Sequence, residues 1–172
     1  ENFQNTKGIA KAKSEIINNI KKNGKIIVNR DDKYFRFLNK IAKSQNIEVI
    51  TFGISKTSNI HPIKIQRLGK ISKLKIWVKD EIIKLSIRNI NIHNVLASLA
   101  IIKELNLDLQ ETIETFKGFE PSEGRGKIHK IKRYKKTFNL IDESYNANPL
   151  SVKNALKNFS AIKKNRFKKY LL

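Results

Sequence analysis

The chain has 172 residues, no cysteine, 36 Lys plus Arg against 15 Asp plus Glu, and a formal net charge of +21. That length allows one ordinary domain or parts of two, and the lack of cysteine excludes disulfides, thiolate nucleophiles and zinc–thiolate sites. No apolar run approaches the roughly 20 residues of a bilayer-spanning helix, and the opening ENFQNTKG has no signal-peptide core, so the expectation is a soluble cytoplasmic protein without membrane insertion.

Residues 7–21, KGIAKAKSEIINNIK, space Ile9, Ala12, Ile16, Ile17 and Ile20 onto one helical face. Asn23-Gly24 ends that helix, and KIIVN (25–29) reads as a short buried strand. Asp31 or Asp32 is placed to cap a second helix running to about Ser44, with Tyr34, Phe35, Leu38 and Ile41 turned inward. EVITFGI (48–54) is another strand. Helix and strand alternating with short links predict a parallel sheet wrapped by helices, an α/β fold.

From about 61 to 92 the period falls to two. IKIQRLG, ISKLKIWVK and EIIKLSIR alternate apolar and polar residues, with a tight link at Lys79-Asp80-Glu81, which predicts an antiparallel meander at the sheet edge. NVLASLAIIKELN (94–106) is a strongly apolar helix and LDLQETIETFKGF (107–119) a second. Glu120-Pro121-Ser122-Glu123-Gly124 breaks the pattern and divides a domain at 1–120 from one at 121–172. KIHKIKRY (127–134) and TFNLID (137–142) form a hairpin or adjacent strands, a helix covers about 150–162, and KKYLL (168–172) looks like the beginning of a strand. With no initial Met and an apolar last run, the sequence reads as a fragment of a longer protein.

The basic charge is mostly lysine, 29 of the 36 positive residues, spread along the whole chain among abundant Ile and Asn. Base readout leans on the arginine fork, so a solvated Lys-rich surface is expected and a nucleic-acid partner is not. Ligands that carry phosphate are compatible with this surface.

No Gly-x-x-x-x-Gly-Lys-Ser/Thr loop and no HExxH motif occurs, and His61, His93 and His129 are widely separated. Four segments remain as carriers of chemistry. GIAKAKSEI sets Lys13 near the Ile9, Ile16 and Ile17 face, where partial desolvation would favour a neutral, nucleophilic amine. His93-Asn94 opens the apolar helix, with Asn94 readable equally as a plain N-cap. Gly124-Arg125-Gly126 holds an Arg at the inferred boundary, where it is either a solvated linker residue or able to reach a phosphate bidentately. LIDESYNANPL (140–150) ends a strand in Asp142, Glu143, Ser144, Tyr145, Asn146 and Asn148 before Pro149 starts a helix. Such a loop is a common site architecture in α/β enzymes and also an ordinary Asx-rich turn.

In this order and at these spacings, the segments resemble the Mur ligase family, and LIDESYNANPLSVKNAL after GRG is most similar to its dipeptide-adding branch. NRDD (29–32), ITFG and IHNVLASLA (92–100) fit the same resemblance. It implies the second half of a central ATPase domain lacking its P-loop, then the truncated start of a Rossmann-like carboxyl-terminal domain. The implied reaction is ATP-dependent ligation of D-alanyl-D-alanine to UDP-N-acetylmuramoyl-tripeptide through an acyl phosphate, in peptidoglycan precursor synthesis, with ATP and Mg²⁺ as cofactors and a monomeric enzyme. Lys13 would be carbamylated and serve as a metal ligand; His93, Asn94, Arg125 and Glu143 would face the nucleotide; Ser144, Tyr145, Asn146 and Asn148 would face the substrates. Ala97 stands where many members carry an Asn near the adenine. The fragment alone is expected to be inactive. The alternatives are another Mur branch or a folylpolyglutamate synthase-like ligase, and a basic nucleic-acid-binding module.

Overall fold

The computed structural model describes residues 5–68, 71–88, 90–145, 148–162 and 168–171. They fall into two compact units, Glu1–Phe119 and Glu120–Leu172. The fold class is the expected one: helices and parallel strands, with an antiparallel meander in the same sheet.

In the first unit, α1 (Thr6–Ser14) is capped by Asn5, whose side chain accepts from the Gly8 N–H, and it passes into a 3-10 turn at Glu15–Asn19. The single long helix expected over 7–21 is therefore broken. The tighter winding advances each side chain by about 120° in place of 100°, and that shifts the inward face. Ala10, Ser14 and Ile17 are buried, whereas Ile9 is exposed and Ile16 is 66% exposed.

Strand β1 (Lys25–Asn29) pairs in parallel with β2 (Glu48–Phe52), and α2 (Phe35–Ser44) makes the crossover between them. β2 touches β3 (Ile60–Leu68) in parallel through Phe52 and Ile60. β3, β4 (Ile71–Val78) and β5 (Glu81–Arg88) then run antiparallel, giving the order β1-β2-β3-β4-β5. Because β2 ends where β3 begins, the meander extends past the carboxyl ends of β1 and β2. One face of it is the core: Leu74, Ile76, Val78, Ile83, Leu85 and Ile87 alternate inward against Val95, Leu96 and Leu99 of α3 (Ile92–Glu104). α4 (Leu109–Lys117), capped by Asp108, adds Leu109 and Ile113. Among the described residues no helix is long and apolar enough to cross a membrane.

The carboxyl end of α3 is pinned by charge. Glu104, with its side chain 9% exposed, takes Lys25 at 2.7 Å and also Lys79, while Lys103 takes Asp80 at 2.8 Å and Glu81 at 2.6 Å. Burial raises the Glu104 pKa, but hydrogen bonds from Lys25 and Lys79 overcome this and hold it below the ordinary value. A depressed carboxylate stabilises the fold above its unfolded pKa, and that contribution is lost as pH falls through the lower, folded value. Glu104→Ala removes the acidic partner of Lys79 and leaves Lys25 with Glu48 alone, at 3.4 Å, and is expected to destabilise the unit by about 2 kcal/mol at neutral pH. Urea unfolding should show the gap to wild type closing as pH falls from the ordinary glutamate value through the depressed Glu104 pKa.

The second unit is smaller. β6 (Lys127–Arg133) and β7 (Lys136–Asp142) form a hairpin. Tyr134 and Lys135 both adopt positive φ in its turn, the conformation a two-residue hairpin loop requires. α5 (Pro149–Ala161) follows. The strand expected from residue 168 does not form over Lys168–Leu171. Lys169 instead donates to the Phe159 and Ser160 carbonyls, closing the end of α5.

Candidate functional site

At the carboxyl edge of β1 and β2, three elements meet on one carboxylate. Asp31, just past β1, accepts from the N–H of Ile54 at 2.6 Å and of Ser55 at 3.3 Å, in the loop after β2. Its Oδ2 lies 2.9 Å from Nε2 of His93, in the first turn of α3. Burial raises the Asp31 pKa, but the Ile54 N–H, His93 and the Ser55 N–H together bring it below the ordinary value. The sequence cast Asp31 or Asp32 as the α2 cap. Neither caps it: α2 starts after Tyr34 without a side-chain cap, and Asp32 instead accepts from the Tyr34 N–H in an Asx turn. Asp31→Ala should therefore free the Ile54 and Ser55 amides, read as faster hydrogen exchange at those two positions with the β1–β2 ladder unchanged. In wild type the same loosening is expected as pH drops through the depressed Asp31 pKa.

The loop after β2 is stiffened further by a reciprocal pair. Thr51 donates to Asn59 Oδ1 through both its N–H (2.8 Å) and its hydroxyl (2.7 Å), and the Asn59 N–H donates back to Thr51 Oγ1. Thr6 of α1 bonds the Tyr34 hydroxyl at 2.7 Å and accepts from Lys33, which ties the start of α1 to the loop after β1. Lys13 lies seven residues on, roughly 10 Å along the helix axis. It is exposed, so the apolar covering expected for its amine is not there. Asn94 is also exposed, one residue beyond His93, and it is not the cap: Asn91 accepts from the His93 N–H at 2.8 Å. Ala97 is half-buried in α3.

In the second unit, the Gly-Arg-Gly segment and the end of β7 are locked together. Asp142 Oδ2 accepts from the Gly124 N–H at 2.9 Å and its Oδ1 from the Ser144 N–H at 3.1 Å. The Gly126 N–H donates to the Asp142 carbonyl, and the Tyr145 N–H to the Gly124 carbonyl. The Arg125 guanidinium stacks 4.0 Å from the centre of the Tyr145 ring. Ser144, through its side chain and then its N–H, together with the Gly124 N–H, lowers the Asp142 pKa against the effect of burial, with help from His129. Asp142, which no functional role singled out, thus organises the corner that presents Arg125, Glu143, Ser144 and Tyr145, all exposed. Asn148 accepts from the Ser151 N–H at 2.9 Å and caps α5, with Pro149 in the first helical position. Asn146 lies outside the described residues.

An open α/β sheet with polar loops gathered at the carboxyl ends of its parallel strands defines a domain that takes its ligand at that edge. Residues 1–102 match the Mur ligase middle domain, and the chain belongs to the Mur ligase family. It is similar to the UDP-N-acetylmuramoyl-tripeptide–D-alanyl-D-alanine ligase of Buchnera aphidicola subsp. Baizongia pistaciae, 30% identical over 158 residues, covering 90% of this chain and 33% of that protein. The ligase of the same name from Rickettsia prowazekii is 30% identical over 160 residues, covering 91% of this chain and 35% of the relative. Among solved structures, MurF from Acinetobacter baumannii superposes with a TM-score of 0.76 at 24% identity, over 92% of this chain and 34% of that one. MurF from Thermotoga maritima, in complex with ADP, superposes with a TM-score of 0.72 at 19% identity, over 94% and 36%. The solved structures support the fold, and the chain spans about a third of the length of these relatives.

Proposed function

We infer that the chain is part of an ATP-dependent ligase of peptidoglycan precursor synthesis that joins D-alanyl-D-alanine to UDP-N-acetylmuramoyl-tripeptide. The observation that carries this reading is the 30% identity to two ligases of that name across both units. In the reaction, the tripeptide carboxylate takes the γ-phosphoryl group of ATP and ADP leaves. The dipeptide amine then attacks the acyl carbon, the amide bond forms, and phosphate departs with its electron pair as the amine loses a proton. The protein's task is to hold acyl carbon and amine in attack geometry and to neutralise phosphate charge.

On this reading residues 1–120 are central-domain sequence and 121–172 begin the carboxyl-terminal domain. Arg125 has one face on Tyr145 and its N–H edge open, the presentation a phosphate needs for a bidentate contact. Glu143 borders the nucleotide beside it, and Ser144, Tyr145, Asn146 and Asn148 border the substrates. Asn148 does so while its Oδ1 caps α5, which fixes the direction of the loop. His93, oriented by Asp31, and Asn94 sit at the positive end of α3 and face the nucleotide.

Magnesium fits this donor set in a limited way. Among the described residues no three His, Cys, Asp or Glu cluster as for a protein-built metal cage. Mg²⁺ commonly keeps waters and phosphate oxygens and takes only one or two carboxylates. An exposed Lys13 amine is open to CO2, and its carbamate would be one such anionic oxygen donor; the ion would supply charge neutralisation at the phosphates. The enzyme acts as a cytoplasmic monomer on this reading.

The test is phosphate release by the full-length parent. Release that needs ATP, the UDP-linked tripeptide and D-alanyl-D-alanine together supports the assignment. Release driven instead by UDP-N-acetylmuramate and L-alanine would move the protein to the branch named by a Borrelia garinii relative, 29% identical over 126 residues.

A further inference from the structure

We propose that the outer face of the β3–β4–β5 meander is a docking surface for an anionic lipid bilayer. Strand register puts Lys64 opposite Lys75 and Lys75 opposite Lys84, a row of three lysines across three adjacent strands. Lys73 and Arg88 lie on the same face, each two residues along its strand or a multiple of two. Like charges directly opposite one another destabilise a sheet, so this row is unfavourable until an anion covers it. Nothing within the described residues relieves it. None of these five cations has an acidic partner there, whereas Lys25, Lys79 and Lys103 are all paired. Between Glu48 and Asp80 the sequence has no Asp or Glu at all. A lysine-rich composition accounts for many lysines, but not for three in one cross-strand row on a face without acids.

The rows on either side select the partner. Toward the β4–β5 turn lies His61–Trp77–Ile82, and toward the far end Leu68–Ile71–Arg88. Ile82 is 46% and Leu68 47% exposed, and Trp77 is half-buried. Flexible amines flanked by a tryptophan and exposed aliphatic residues suit the headgroup layer, where indole and alkyl groups sit shallowly and lysines reach the phosphates. A nucleic-acid surface would favour arginine forks and several stacking rings. This face has one arginine and one tryptophan, the latter set between His61 and Ile82.

Trp77 is the only tryptophan in the chain, so its emission reports on this face alone. Titrating the chain with phosphatidylcholine vesicles containing phosphatidylglycerol should shift that emission to the blue, and pure phosphatidylcholine should not. Lys64→Gln, Lys75→Gln and Lys84→Gln combined should weaken partitioning about a hundredfold, at about fivefold per lysine. The control triple Lys22→Gln, Lys40→Gln and Lys43→Gln removes equal charge from other exposed sites and should weaken it only a few-fold. Thermal melts check folding, and Lys75→Gln alone, expected to lose about fivefold, serves if the triple does not fold. Equal losses in the two triples, no shift with anionic vesicles, or a shift only with a single-stranded oligonucleotide would each overturn the proposal.

Discussion

Lys13→Ala in the full-length parent is expected to lower dipeptide ligation by about a thousandfold, on the scale of removing a charge-stabilising group from a phosphoryl-transfer site, while leaving thermal stability nearly unchanged. The stability half follows from geometry. Lys13 is exposed in the last turn of α1, where a cation interacts favourably with the helix end. Loss of that interaction is worth about 0.5 kcal/mol. The activity half follows from the proposed carbamate, because Ala can carry no anionic oxygen. The two together distinguish a ligand from a fold element, since a structural lysine would lose stability and turnover in proportion. A small carboxylate such as formate should restore part of the rate by supplying the missing oxygen. Lys13→Glu, which carries its own carboxylate on a shorter stem, should keep more activity than Lys13→Ala. Turnover that survives the substitution intact would remove Lys13 from the site.

The uneven legibility of this chain has a physical pattern. Period-two alternation in 71–88 placed β4 and β5, because a strand with one buried face writes its register into every second residue. Apolar runs at 25–29 and 48–52 marked the parallel pair just as directly. What was hidden was non-local. Asp31 looked like a cap because caps are judged from neighbours along the chain, yet its partners Ile54, Ser55 and His93 lie 23 to 62 positions away. Asp142 escaped notice as an organiser for the same reason: its partner Gly124 is 18 residues distant. In α1 the error was one of phase. The helical spacing of Ile9, Ala12, Ile16, Ile17 and Ile20 looked continuous, but a change of winding at Glu15 turned Ile16 to solvent. Asn94 reads as a cap of α3 by its place at the start of the apolar run, but the cap is Asn91, three residues earlier, extended at φ −67° and ψ 126° with its side chain accepting from the His93 N–H. The lysine row needed pairing register as well as sequence, since Lys64, Lys75 and Lys84 are unremarkable until the strands are aligned.

Gly124→Ala should be the most damaging small substitution in the second unit, and Gly126→Ala, two residues away, should be mild by comparison. Both glycines have positive φ, +72° and +92°, so each alanine carries a backbone penalty of about 1 kcal/mol. They differ in what the new methyl group meets. At Gly124 it would stand 2.7 Å from Tyr145 Cβ and 2.8 Å from Tyr145 N, both fixed by the backbone. At Gly126 its nearest neighbour is Glu143 Oε1 at 3.3 Å, the end of a flexible side chain that can turn away. Overpacking against backbone adds about 2 kcal/mol at Gly124, so the expected destabilisation is about 3 kcal/mol there and about 1 kcal/mol at Gly126. The larger figure has a specific signature, because the collision pushes apart the strand end and the Gly-Arg-Gly segment. Amide exchange at Tyr145 and Ser144 should rise sharply in Gly124→Ala, as the bonds to the Gly124 carbonyl and to Asp142 open, and should rise little in Gly126→Ala. The same opening would unseat Arg125 from the Tyr145 ring, and under the proposed phosphate contact of Arg125 in the full-length parent, KM for ATP should increase in the first variant and barely change in the second. Equal exchange rates in the two variants would mean that close approach of Gly124 to Tyr145 does not hold this corner, and Arg125 would then need another support.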